Sequence, residues 1–120
     1  MAIGGGAAGN IGTAQVASAP PDGYTLLAAP PPPIAINQHL YEHLSFDPTT
    51  LKPITIIASS PNVVGVSKRL GVDNLAALIA LAKSKPGGLN VANQGNGSTS
   101  HLTAALFETT AGVRLSLIHI

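Results

Sequence analysis

The chain has 120 residues, a formal net charge of +1 and no cysteine. Charged residues make up 9% of it, with 13 glycines, 10 prolines, two Tyr, two Phe and no Trp. That excludes disulfides and Cys-zinc centres, and leaves no basic or aromatic platform for nucleic acid. Mean hydropathy is +0.34, but the longest apolar runs, such as residues 75–82, fall well short of the roughly 18 residues of a membrane span. The first ten residues lack the basic stretch and the long apolar run of a secretory signal.

In chain order, residues 4–9 read as a glycine-rich loop. Residues 10–18, "NIGTAQVAS", predict a short helix stopped by "APPDG", with Asp22-Gly23 turning the chain. Residues 24–28, "YTLLA", predict a strand. Residues 30–33 are four prolines without N–H donors, read as a stiff polyproline-like crossing. Residues 36–43 suggest one or two helical turns, and "SFDPTTLKP" a loop. "ITIIAS" and "NVVGVS" predict two apolar strands broken by Ser59-Ser60-Pro61. Asp73 suits the N-cap of a helix over 74–84, whose Leu75, Leu78, Ile79 and Ala82 fall on one face. "PGG" closes that helix. Residues 89–93 predict a strand, 98–110 a helix ended by Gly112, and 113–118 a last strand.

Strands alternating with helices predict parallel βαβ units and an α/β fold. In such sheets ligands sit against loops at the carboxyl ends of strands. Two such loops, separated by the Ser-Ser-Pro break, suggest two lobes with a cleft between them.

Three motifs carry candidate chemistry. Gly4, Gly6 and Gly9 satisfy G-x-G-x-x-G, so the 4–9 loop reads as a small-anion loop, a tight turn, or the phosphate loop of a nucleotide-dependent oxidoreductase. The last needs a strand before the loop and an acidic residue at the tip of the second strand. Only three residues precede the loop, and Asp22 lies before the 24–28 strand, at its wrong end. His39, Glu42 and His43 match H-x-x-E-H, which on a helix puts two imidazoles on one face with a Glu base. A short, proline-flanked segment makes solvated histidines the better reading, with no metal site. In "QGNGSTSH", Gly95 and Gly97 permit close backbone approach, and Ser98, Thr99 and Ser100 offer caps and hydroxyls. His101 is the nearby base, but no acid orients it and no G-x-S-x-G elbow surrounds a serine. A polar site for a carboxylate or a plain helix cap is preferred to a catalytic serine.

The segments "GNIGTAQVASAPPDGYTLL", "INQHLY" with "FDP", "SSPNVVGVS", "LIALAKSKPGGLNVANQGNGSTSHL" and "LFETTAGV" together resemble the substrate-binding proteins of tripartite tricarboxylate transporters, the Bug family. The likeness runs collinearly from Gly6 to Leu115. It implies a fragment of a two-lobed type II periplasmic-binding-protein fold, with residues 1–59 in lobe one and 60–114 in lobe two. It implies a periplasmic, non-enzymatic receptor, without cofactor and monomeric when full length. Such a receptor captures a small carboxylate (a di- or tricarboxylate, aromatic acid or acidic amino acid) and passes it to membrane permease subunits. The ligand residues it implies are Gly6, Ala7, Ala8, Gly9 and Asn10 on lobe one, and Gly95, Asn96, Gly97, Ser98, Thr99 and His101 on lobe two.

Three departures stand out. Ala8 replaces a family glycine, so a demand for positive φ there would reshape the first loop. The prolines at 30–33 replace the usual polar Thr and His contacts, which marks a proline-rich subgroup. The ending at 115–120, "LSLIHI", departs from a Val-His-Val-Pro-Tyr type continuation. It matches one reading frame of a common transposase-end sequencing adapter, so residues 115–120 read as a non-native tail or, alternatively, as an apolar strand ending. Against a fold of roughly 300 residues, the first βα unit and the return half are expected to lie outside this chain.

Overall fold

The computed structural model describes residues 7–119; Gly6 and the start of the glycine loop lie outside them. The first element is helix α1, Asn10–Ala17. It follows a single tight turn at Ala7–Gly9, in which Ala8 has φ 54 and ψ 32. Gly9 follows at φ 90. The Thr13 hydroxyl donates to the Gly9 carbonyl at 3.0 Å and fastens the helix to that turn. The expected turn at Asp22-Gly23 forms, with Asp22 Oδ1 accepting the Tyr24 N–H.

The proline run differs from expectation. Instead of an extended crossing, the chain turns helical at Pro31 and runs through a π-type turn at Pro32–Ile36 into a 3-10 turn at Asn37–His39. Proline has its φ preset near the helical value and gives up only an N–H that the first turn leaves unpaired anyway. A proline cluster can therefore enter a helical turn, even though each proline disfavours it for the residue before. Pro32 and Pro33 are buried.

Residues 24–28, 54–59 and 62–67 form no strands. Tyr24, Ile56 and Val63 are 93%, 85% and 87% exposed. Their β-branched and aromatic composition suits a pleated surface, but that preference is expressed only beside a paired neighbour.

Helix α2 runs over Leu75–Ser84. Its cap is Asn74, one residue later than the expected Asp73; Asn74 Oδ1 accepts the Ala77 N–H at 2.9 Å. Leu78 and Ala82 are buried one turn apart, while Leu75 is exposed. Strand β1, Asn90–Asn93, helix α3, Thr99–Ala111, and strand β2, Ser116–His119, make one βαβ unit. The two strands are parallel, with Asn90 opposite Ser116 and Asn93 opposite His119. The tail expected to be non-native thus supplies β2. Glu108 Oε1 accepts the Leu115 N–H at 2.6 Å, and Val113 is buried beneath the turn that leads there.

The chain divides into two compact units. One runs to Ile57 and takes in Asn96–Thr99; the other comprises 58–95 and the chain from Ser100 onward. The sequence reading kept the 95–101 loop whole on the second lobe. In the structure, its middle groups with the first unit and its flanks with the second. No helix among the described residues is long and apolar enough to cross a membrane.

Candidate functional site

In the first unit, three segments far apart in sequence, 9–10, 32–41 and 96–97, meet around Asn37. Its backbone is held from both sides. Its N–H donates to the Pro32 carbonyl, and its carbonyl accepts from Leu40 at 3.1 Å and Tyr41 at 2.9 Å. The side chain then has little choice of direction. Asn37 Nδ2 donates to Asn10 Oδ1 at 2.7 Å, with Asn37 fully buried and Asn10 7% exposed. This pair joins the start of α1 to the turn that follows the prolines.

Gly9 and Gly97 show why glycines stand in these loops. A Cβ on Gly9 would lie 3.2 Å from Pro33 Cγ, so the prolines pack directly under the first loop. Gly97 has φ +77, and a Cβ there would lie 3.2 Å from the Tyr41 hydroxyl and 3.3 Å from Asn37 Oδ1. Both positions combine left-handed backbone with a filled space, and only glycine meets both demands. The Tyr41 hydroxyl also donates to the Asn96 carbonyl at 3.3 Å. Ala8 reaches the left-handed region without a glycine, so the first loop keeps its turn at a cost of about 1 kcal/mol.

In the second unit, Asn93 Oδ1 accepts the Gly95 N–H at 2.8 Å, and Ser100 Oγ accepts the Gln94 N–H at 3.1 Å. These bonds shape the exit from β1. His101 sits half-buried in the first turn of α3. Of the expected site residues, Ala8, Gly9, Asn10, Asn96, Gly97, Ser98 and Thr99 thus group in one unit, and Gly95 and His101 in the other. Ser98 is 8% exposed, and α3 starts at Thr99. Asn37 and Tyr41, which connect the two loops, were missed by sequence reasoning. The available signal was the "INQHLY" block itself, whose Asn and Tyr are four residues apart and share a face of a helical turn.

The H-x-x-E-H reading fails on geometry. His39 ends the 3-10 turn, and exposed Glu42 and His43 lie past it, so no helix aligns the two imidazoles. Among the described residues no group of three or more His, Cys, Asp or Glu side chains is placed to hold a metal ion.

Residues 4–120 match the tripartite tricarboxylate transporter family receptor. The chain belongs to that family. It is 36% identical over 114 residues to a UPF0065 protein of Bordetella pertussis, and 34% identical over 115 residues to Protein BugT of the same organism. Each match covers 94% of this chain and 35% of the relative, so the chain spans about a third of those proteins' length. A solved structure, R. palustris Rpa4515 with adipate, is 37% identical with a TM-score of 0.84, covering 93% of this chain and 38% of that one. The family is one of transporter receptors, which bind rather than transform a solute, and its match gives no support to the oxidoreductase alternative.

Proposed function

We propose that this chain is the part of an extracytoplasmic solute-binding protein that carries two of its ligand loops, residues 6–10 and 95–101. The solute is a small carboxylate, and the bound protein delivers it to the permease subunits of a tripartite tricarboxylate-type transporter in the periplasm. In this reading residues 1–59 belong to one lobe and 60–114 to the other, except Asn96–Thr99, which group with the first unit. The supporting observation is the meeting of the first loop and the Asn96–Thr99 segment on Asn37, in a chain similar to a protein whose structure holds adipate. Few charges are present to neutralise an anion. Backbone N–H groups and neutral side chains must then carry most of the recognition, as they do where anions meet helix starts. Bridging water completes such sites at little cost.

The test is a thermal-shift screen of di- and tricarboxylates, aromatic acids and acidic amino acids, with uncharged solutes as controls, on the full-length protein that contains this segment. A true ligand at 100 times its Kd adds about 2.7 kcal/mol. Failure of every carboxylate to raise the melting temperature, alongside a shift with an uncharged solute, overturns the reading.

A further inference from the structure

We propose that Asn37 is the positioning residue of the ligand site: it sets the Asn96–Thr99 segment against the start of α1. The inference rests on the reading of 6–10 and 95–101 as ligand loops, but its central claim concerns loop geometry and is tested without a ligand.

Asn37 is among the largest fully buried side chains of the described residues. A primary amide is a costly choice for such a place unless its polar atoms are used. Its Nδ2 is used, on Asn10 Oδ1 at 2.7 Å. Its Oδ1 is buried without a hydrogen-bond partner. That orphaned oxygen borders Gly97, occupying with the Tyr41 hydroxyl the space where a side chain on residue 97 would stand. A buried acceptor left unsatisfied destabilises the fold, and an apolar side chain would carry no such orphan itself, though it would leave Asn10 Oδ1 without its donor. The amide therefore contributes something other than filling. It fixes Asn10 at one end and limits residue 97 to a backbone without a side chain at the other. Its main-chain bonds to Pro32, Leu40 and Tyr41 leave it rigid enough to act as a spacer.

The test uses the full-length protein with three variants, Asn37→Leu, Asn37→Asp and Gln38→Ala, the last at an exposed neighbour that bonds only to the Ala35 carbonyl. Hydrogen-exchange protection is measured at the amides of residues 95–100 and, as a reference, at those of α2. Asn37→Leu is expected to lower protection of the loop about tenfold while α2 is unchanged, because local openings are reported separately from global unfolding. Asn37→Asp is expected to behave like the wild type near about pH 5, where a buried carboxyl is neutral and its O–H replaces the amide donor to Asn10. Near about pH 8 the ionised form cannot donate, and loop protection is expected to fall. The titratable side chain meeting Gly97 alongside residue 37 is that of Tyr41; His39 and Glu42 nearby are exposed. Gln38→Ala is expected to match the wild type.

Adipate affinity is measured by calorimetry on the same proteins, with an expected loss of about tenfold for Asn37→Leu. Equal loss of protection in the loop and α2 marks a merely structural residue and overturns the proposal. So does unchanged loop protection in Asn37→Leu, or an Asn37→Asp variant without recovery at low pH. If Asn37→Leu does not fold, the pH response of Asn37→Asp decides. Loop protection that follows the expected pattern in a protein that binds no carboxylate supports the positioning role and overturns the carboxylate reading.

Discussion

Two apolar regions of the chain fare differently. Residues 54–66 hold Ile54, Ile56, Ile57, Val63, Val64 and Val66, all exposed and without a hydrogen-bonded ladder. Residues 89–119 hold strands no richer in β-branched residues, yet β1 and β2 pair in register and bracket α3. The second region has its neighbour within the chain, on the far side of the thirteen-residue helix α3. The first has none among the described residues. Composition marks a segment as able to pair, whereas pairing itself needs a second backbone at the right distance.

The contrast between partnered and unpartnered positions can be broken by substitution, and the largest effect is expected at Gly97. Gly97→Val forces a β-branched residue into left-handed backbone against the Tyr41 hydroxyl and Asn37 Oδ1. In the full-length protein, denaturant unfolding should register a loss of about 3 kcal/mol, and carboxylate binding should fail with it. A well-folded Gly97→Val protein with normal affinity would show that the space beside residue 97 is not filled.

Ala8 and Asn74 test partnered positions in opposite directions. Ala8→Gly should stabilise the chain by about 1 kcal/mol, since the residue already holds a glycine-like φ. A lower melting temperature would mean that its methyl group packs more favourably than its backbone is strained. Asn74→Ala should remove about 1 kcal/mol through loss of the α2 cap, while Asp73→Ala stays within about 0.5 kcal/mol. Equal losses at the two positions would return the cap to Asp73.

The smallest effects belong to exposed groups. Ile56→Asn should change the stability of the 120-residue chain by no more than about 0.5 kcal/mol. A loss several times larger in the full-length protein would locate the missing partner of that segment outside this chain. At Asp47, the Thr49 hydroxyl and then the Thr49 N–H hold the carboxyl below its ordinary pKa. A carboxyl with a lowered folded-state pKa contributes stability above its unfolded value and loses it as pH falls through the folded one. The turn at Pro48–Thr50 should therefore loosen only below about pH 4, and Asp47→Asn should make its local exchange protection insensitive to pH there.

The sequence by itself determined what depends on near neighbours. Helices α1, α2 and α3 were legible from small-residue runs, the Leu78–Ala82 spacing and flanking glycines. The β1–α3–β2 alternation was legible as parallel βαβ, and the blocks around "PPDGYTLL" and "GNGSTSHL" were enough for the family. These are signals a few residues long, carried by caps, breakers and apolar spacing. Tertiary structure alone decided the rest. The proline run folded into a turn that packs Pro33 under Gly9. The apolar segments at 54–66 formed no strands, and no second strand among the described residues came to them. Asn37 became the hub of the candidate site because residues 10, 37, 41 and 97 were brought together, and an amide next to Gln38 carries no mark in the sequence that it will be fully buried. Burial and hydrogen-bond partnership are set by what the remainder of the chain places alongside a residue, which no local pattern records.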